Sequence, residues 1–222
     1  MDLDHPPDIV VVAGGQPVAP ELVSAVPGSA RIVAADAGVD LARGLGWVVA
    51  VAVGDFDSIT PTALEALDAE VDDVRRHAAD KDATDLELAL EIAAELAAGV
   101  PCRVLVIGLE GGRPDHALAN LLVASAPHFA ALHVELVLAE GRAWVAREQL
   151  AGHLPAGQVL SLVPVHGPAT VSVTGVRWPL DRSTLAPGTT RGVSNEASGG
   201  PVCVTVHDGA VLCITPRNEE SP

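Results

Sequence analysis

The chain has 222 residues, 49% of them hydrophobic and only 2% aromatic, with a formal net charge of -16. That charge argues against nucleic acid or an anionic membrane surface as partner, since both call for Lys and Arg stripes. A small anionic ligand remains compatible with it if metal ions neutralise the ligand locally.

No stretch is long and apolar enough to predict a membrane span. Residues 1–8 lack the basic start and apolar run of a secretory signal, so a cytoplasmic protein is expected. The alternation begins with short apolar runs at residues 9–13, 31–35 and 48–53. Residues 70–76 read as a fourth strand and 103–107 as a fifth. Between them lie helix-like stretches, the clearest at residues 84–98, where Leu86, Leu88, Ala89, Leu90, Ile92, Ala93 and Leu96 form a broad apolar face. Strands alternating with helices predict a parallel sheet covered on both faces. After about Ala126 the pattern changes. Short strands are predicted at residues 133–139, 143–147, 159–163, 170–173, 202–206 and 211–215, split by Gly, Pro and Asp turns, as in an antiparallel sandwich or small barrel. The expected organisation is an α/β domain over residues 1–145, with a Rossmann-like parallel sheet, followed by an antiparallel β-sandwich domain over 146–222.

Cys102, Cys203 and Cys213 lack zinc-ligand spacing. Asp208-Gly209 reads as a two-residue hairpin turn, which would set Cys213 opposite Val204 and turn Cys203 to the other face. Buried free thiols are expected.

The chemistry-bearing residues cluster just after predicted strands, where ligands bind in open parallel sheets. Asp36 ends the second strand, and alone it would serve equally well as a helix N-cap. Asp55 and Asp57 flank Phe56 after the third strand. On an extended segment they would project together, a pairing that suits magnesium, which takes carboxylate, water and phosphate oxygens. Asp80-Lys81-Asp82-Ala83-Thr84-Asp85 opens the long helix, with Asp82 and Asp85 predicted on one face of its first turn. Acids at a helix start also complement its dipole without any ligand, and Lys81 either contacts phosphate or balances local charge. After the fifth strand, Gly111 and Gly112 leave backbone N–H groups open to an anion. Arg113 suits a charged phosphoryl group, Pro114 suits a helix start, and Asp115 and His116 follow. This is neither a Walker loop nor a dinucleotide fingerprint.

Ala-Gly-Gly near the start, ADAG at 35–38, GDFDS at 54–58, DKDATDLELAL from 80 and GGRPDHALAN from 111 have the order and spacing of thiamine pyrophosphokinases. Ser161-Leu162-Val163-Pro164, the segment Thr174 to Leu180 and Ser194-Asn195-Glu196 extend the resemblance into the second half. It departs modestly, with Leu86 where phenylalanine is common and Ala37 where glycine is common. The resemblance implies diphosphoryl transfer from ATP to the thiamine hydroxyl, with magnesium at Asp36, Asp55, Asp57 and Asp85. It implies ATP contacts from Asp36, Lys81, Asp82, Thr84, Gly111, Gly112, Arg113 and Asp115, with Asp57, Asp85 and Arg113 catalytic. Trp178, Ser194 and Asn195 would bind thiamine, the indole face suiting its cationic ring. It further implies a homodimer whose site joins the α/β domain of one subunit to the β domain of the other. Two other functions fit the residues: a diphosphokinase for another heterocyclic alcohol, such as a hydroxymethyl pterin, and a non-catalytic module that binds nucleotide or thiamine diphosphate.

Overall fold

The computed structural model describes residues 6–19, 23–24, 26–78, 80 and 82–217. They divide into two compact units, residues 6–139 and residues 140–217.

In the first unit, β1 (Ile9–Val12), β2 (Arg31–Ala35), β3 (Val49–Gly54), β4 (Asp73–Arg76), β5 (Cys102–Ile107) and β6 (Leu132–Leu138) form a sheet ordered β6-β5-β1-β2-β3-β4. Every pairing in it is parallel. β1 and β5 are buried throughout, as strands covered on both faces must be. The described helices are α1 (Gly38–Gly44), α2 (Pro61–Glu70), α3 (Asp85–Ala97) and α4 (Pro114–Ala124), with a 3-10 turn at Pro127–Phe129. α3 starts because the Thr84 hydroxyl accepts the Glu87 N–H at 3.2 Å, and it stops where Ala98 turns left-handed at φ 50°. Its buried stripe is Leu86, Ala89, Leu90, Ile92, Ala93 and Ala97. Such a cap is worth about 1 kcal/mol, and the stripe supplies the larger share of the helix's stability by burial.

Two predicted strands need correction. Glu70 closes α2, so β4 is shorter than its apolar-charged run suggested. It pairs only with β3 and carries the exposed-edge chemistry of Asp73 and Arg75, whose side chains bond at 3.1–3.3 Å. β6, read with the antiparallel set, pairs parallel with β5. Its burial alternates too little to reveal direction, which depends on the distant partner.

The second unit contains β7 (Gly141–Ala146), β8 (Gln149–Leu154), β9 (Val159–Pro164), β10 (Ala169–Thr174), β11 (Leu180–Leu185), β12 (Asn195–Glu196), β13 (Gly200–Asp208) and β14 (Val211–Pro216). The neighbours run β12-β9-β14-β7 in one layer and β11-β10-β13-β8 in the other, all antiparallel. Trp144, Leu160, Leu162, Val171, Val173, Leu185, Val204 and Cys213 belong to the core of this sandwich. β8, β11 and β12 were not apparent in the sequence, because they carry too few apolar residues to mark a strand.

The Asp208-Gly209 hairpin is wrong. Gly209 turns at φ 78°, but β13 pairs with β10 and β8 while β14 pairs with β7 and β9. The turn carries the chain from one layer to the other. All three cysteines are free, with Cys102 and Cys213 buried and Cys203 only partly so. Burial pushes the Cys102 thiol up to about 11, helped by Asp8, and pushes Cys213 higher still.

Candidate active site

Strand order reverses between β1 and β5, and a parallel sheet leaves a crevice beyond the carboxyl ends of its strands at such a point. A cleft of about 430 Å³ lies there, lined from the loops after β1, β2, β3 and β5 and from the starts of α3 and α4. Glycine makes the crevice possible. A Cβ on Gly15 would lie 2.2 Å from the Gly108 carbonyl and 2.4 Å from that of Glu110, so only a bare Cα lets the β1 and β5 loops meet. The Gly15 N–H donates to the Gly108 carbonyl at 2.8 Å.

Asp36, Asp55 and Asp57 each offer a carboxylate oxygen to a group whose members all lie within 4.8 Å of one another. Two left-handed residues bring them together: Asp36 itself, at φ 46°, and Phe56, at φ 61°. The aspartates flanking Phe56 are therefore not on an extended segment, as their spacing suggested. The Asp57 N–H donates back to Asp55 Oδ1 at 3.2 Å, and the buried Phe56 ring pins the turn. Non-glycine residues held at positive φ cost about 1–3 kcal/mol each and gather at functional sites. Asp36 is no helix cap: α1 has Ala37 at its N-cap, without a side-chain bond.

The electrostatics fit a hard cation. Asp36 Oδ1 is buried with no hydrogen-bond partner. Burial, then the charges of Asp85 and Asp55, raise the Asp36 carboxyl above its ordinary range, opposed by Ser58 and the Ala37 backbone. The single hydroxyl proton of Ser58 is directed at Asp57 Oδ1, 2.7 Å away. Clustered carboxylates with an unsatisfied oxygen are what an all-oxygen magnesium site requires. Asp85 opens α3 and lines the same cleft, and its Oδ1 would lie 3.2 Å from a Cβ placed on Gly54. It stands outside the three-carboxylate group.

Of the other expected ATP contacts, Thr84, Gly111 and Arg113 line the cleft, whereas Asp82, Gly112 and Asp115 do not. Asp82 precedes the Thr84 cap and is exposed, so it does not share a first helical turn with Asp85. Lys81 lies outside the described residues. Arg113 bonds Asp115 through both Nε and Nη2, in a pair exposed to solvent. That bond lowers the Asp115 carboxyl to about 2 and raises the guanidinium. The cleft also includes Gly14, Ser58, His116 and Asn120, which sequence reasoning did not select. Asn120 donates to the Leu109 carbonyl at 2.7 Å. It falls four residues after His116 on α4, and that spacing was the available signal.

The expected thiamine residues lie in the second unit. Trp178 sits in the loop between β10 and β11 and is 50% exposed, so it is not a core tryptophan. Asn195 is buried, and its amide is engaged with the backbone. Nδ2 donates to the Trp178 carbonyl at 2.7 Å, while Oδ1 accepts from the N–H groups of Trp178 at 3.1 Å and Glu196 at 2.9 Å. Ser194 is exposed at φ 57°, its N–H held by Ser161 Oγ at 3.0 Å. The Arg177 guanidinium lies 4.6 Å from the Trp178 ring centroid.

Comparison with known proteins gives concordant matches. The family model for the thiamin pyrophosphokinase catalytic domain matches residues 24–136, and that for the thiamin pyrophosphokinase vitamin B1 binding domain matches residues 147–211. A thiamine pyrophosphokinase of Bacillus subtilis (strain 168) is 26% identical over 203 residues, 85% of this chain and 88% of that protein. The crystal structure of thiamine pyrophosphokinase from Bacillus subtilis matches with a TM-score of 0.80 at 24% identity, over 95% of this chain and 99% of that one. A thiamin pyrophosphokinase from Candida albicans matches with a TM-score of 0.75 at 15% identity, over 94% and 89% of the two chains. At such identities the solved structures speak for the fold alone.

Proposed function

The chain belongs to the thiamin pyrophosphokinase family, and from that premise we propose how its own residues carry the family's reaction. The enzyme transfers a diphosphoryl group from ATP to the hydroxyl of thiamine, giving thiamine diphosphate and AMP. The alcohol oxygen bonds to the β-phosphorus, and the bond from that phosphorus to the oxygen of the α-phosphate breaks.

The observation that carries the assignment of roles is the convergence of Asp36, Asp55 and Asp57 on one point of the cleft, with Asp36 Oδ1 buried and unpartnered. These three residues, with Asp85 beside them, would hold magnesium. Bound there, the ion would supply the positive charge that the triphosphate and the acidic cluster both need. Asp85, at the first turn of α3, would accept the hydroxyl proton. Arg113 neutralises charge on the transferring group, exchanging its Asp115 partner for phosphate oxygens. The N–H groups around Gly111 and the Thr84 segment orient the chain of phosphates. Catalysis is then positioning and electrostatics with little covalent chemistry by the protein.

The stacking residue for thiamine is Trp178, whose exposed ring suits a planar cation. Ser194 contributes at the rim, and Asn195 serves by holding the Trp178 backbone. The acidic cleft lies in one unit and Trp178 in the other, which supports a homodimer whose sites are shared between subunits. Among the described residues no helix is long and apolar enough to cross a membrane.

The test is direct. Purified protein incubated with ATP, magnesium and thiamine should yield AMP and thiamine diphosphate in equal amounts. AMP formed only with a pterin alcohol would move the substrate to another heterocycle. No AMP with either alcohol would leave a binding module.

A further inference from the structure

The strip Arg177-Trp178 lies against the strip Asn195-Glu196. The Arg177 N–H donates to the Glu196 carbonyl at 2.8 Å, and the Asn195 amide bonds both backbone groups of Trp178. Over this backbone frame sits a second layer made of charge. The Arg177 guanidinium covers one face of the indole, 4.6 Å from its centroid, and its Nη1 donates to Glu196 Oε2 at 2.9 Å. Trp178 is nonetheless 50% exposed, so part of the residue remains open to a ligand.

A guanidinium on one face matters to any cation approaching the other. It draws on the same ring electrons, and it repels the newcomer across a separation of roughly 9 Å, about twice the usual height of a cation over a ring. Unneutralised and partly screened, that repulsion is worth about a three- to ten-fold loss of affinity. Glu196, ion-paired with Arg177, offsets it. A ring meant only to be shielded from water would need no carboxylate there.

We infer that Glu196 and Arg177 set the charge preference of the Trp178 site: Arg177 occupies one face of the ring, and Glu196 cancels its charge so that the ring accepts a cationic heterocycle. This rests on the reading that Trp178 stacks on the substrate. Both are positioning residues, acting on the ligand through the ring.

The experiment is thiamine binding by titration calorimetry at low and high ionic strength, on wild type, Glu196→Gln, Arg177→Gln, the double variant and Trp178→Ala, with melting temperatures as a folding control. Glu196→Gln should weaken binding about three- to ten-fold at low salt, and the loss should shrink as salt screens the exposed guanidinium. Arg177→Gln should tighten binding by a similar factor, because Glu196 then faces the cation unpaired. The double variant should return close to wild type. Equal, salt-independent losses in both single variants would mean that the pair only props the ring, and would overturn the inference. So would wild-type affinity in Glu196→Gln alongside a large loss in Trp178→Ala, an outcome that leaves stacking itself intact. Unchanged affinity in Trp178→Ala would remove the stacking reading and this inference together. Should Glu196→Gln fail to fold, the direction of the Arg177→Gln change decides the matter.

Discussion

Replacing Asp36 by Asn separates the demands of the metal site from those of the fold. Asn keeps the shape and tolerates the left-handed backbone, here at φ 46°. What it removes is a charge whose Oδ1 has no partner and which lies within 4.8 Å of oxygens on Asp55 and Asp57. One such like-charge contact costs about 3 kcal/mol at an effective dielectric of ~20, and partial exposure and salt reduce this to roughly 1–2 kcal/mol in total. Metal-free Asp36→Asn should therefore be more stable than wild type, by about 2–8 °C in melting temperature for a chain of this size. The sign with pH follows from the raised carboxyl of Asp36. The folded state holds that proton more tightly than the unfolded chain, so ionisation destabilises wild type as pH rises through the raised range. The variant's advantage should be full above that range and vanish below the ordinary value of 3.8. Magnesium should reverse the order, stabilising wild type while leaving the variant nearly unmoved, and turnover should fall about 100-fold or more. Scanning calorimetry with and without magnesium, at neutral and acidic pH, reads all of this. A metal-free variant less stable than wild type, or one still stabilised by magnesium, would refute the argument.

Asp57→Asn should nearly abolish AMP formation while leaving the circular dichroism spectrum unchanged, because the residue is exposed and its loss removes a ligand charge without disturbing packing. Trp178→Ala should weaken thiamine binding by about 1–3 kcal/mol, with ATP binding and melting temperature little changed, since a half-exposed ring leaves no core cavity. Mixing Asp57→Asn with Trp178→Ala under subunit exchange should restore activity above that of either alone, and no recovery in verified heterodimers would count against a shared site. Gly15→Ala should lower the melting temperature and raise the KM for ATP, because its Cβ would meet two carbonyl oxygens at 2.2 and 2.4 Å.

Much of the site was legible because its parts are local. Apolar runs followed by Gly or Asp mark strand ends; Asp36, Asp55 and Asp57 follow their strands within three residues, and Asp85 opens α3. Each had a plausible structural duty when taken singly. Asp36 could have been a cap, and the acids at the start of α3 could have served only its dipole. The choice rests on distances between loops that are far apart in sequence, and on left-handed backbone at Asp36 and Phe56 that neither residue type announces. Asn195 shows the opposite case. Its segment pointed to the substrate, but its amide is engaged with the Trp178 backbone.

By itself the sequence determined the alternation of strands and helices, the switch to a strand-rich second half and the acidic loops. These follow from side-chain periodicity and charge, which are properties of neighbouring residues. Only the tertiary structure decided that β6 runs parallel to β5, that the Asp208-Gly209 turn crosses between layers, and that Arg113 rests on Asp115 while Arg177 rests on Trp178 and Glu196. A strand carries its facing pattern within its own residues, but its partner is set by the burial of surfaces far away in the chain. Where several antiparallel strands are equally apolar, local pattern leaves the pairing open until the whole core closes.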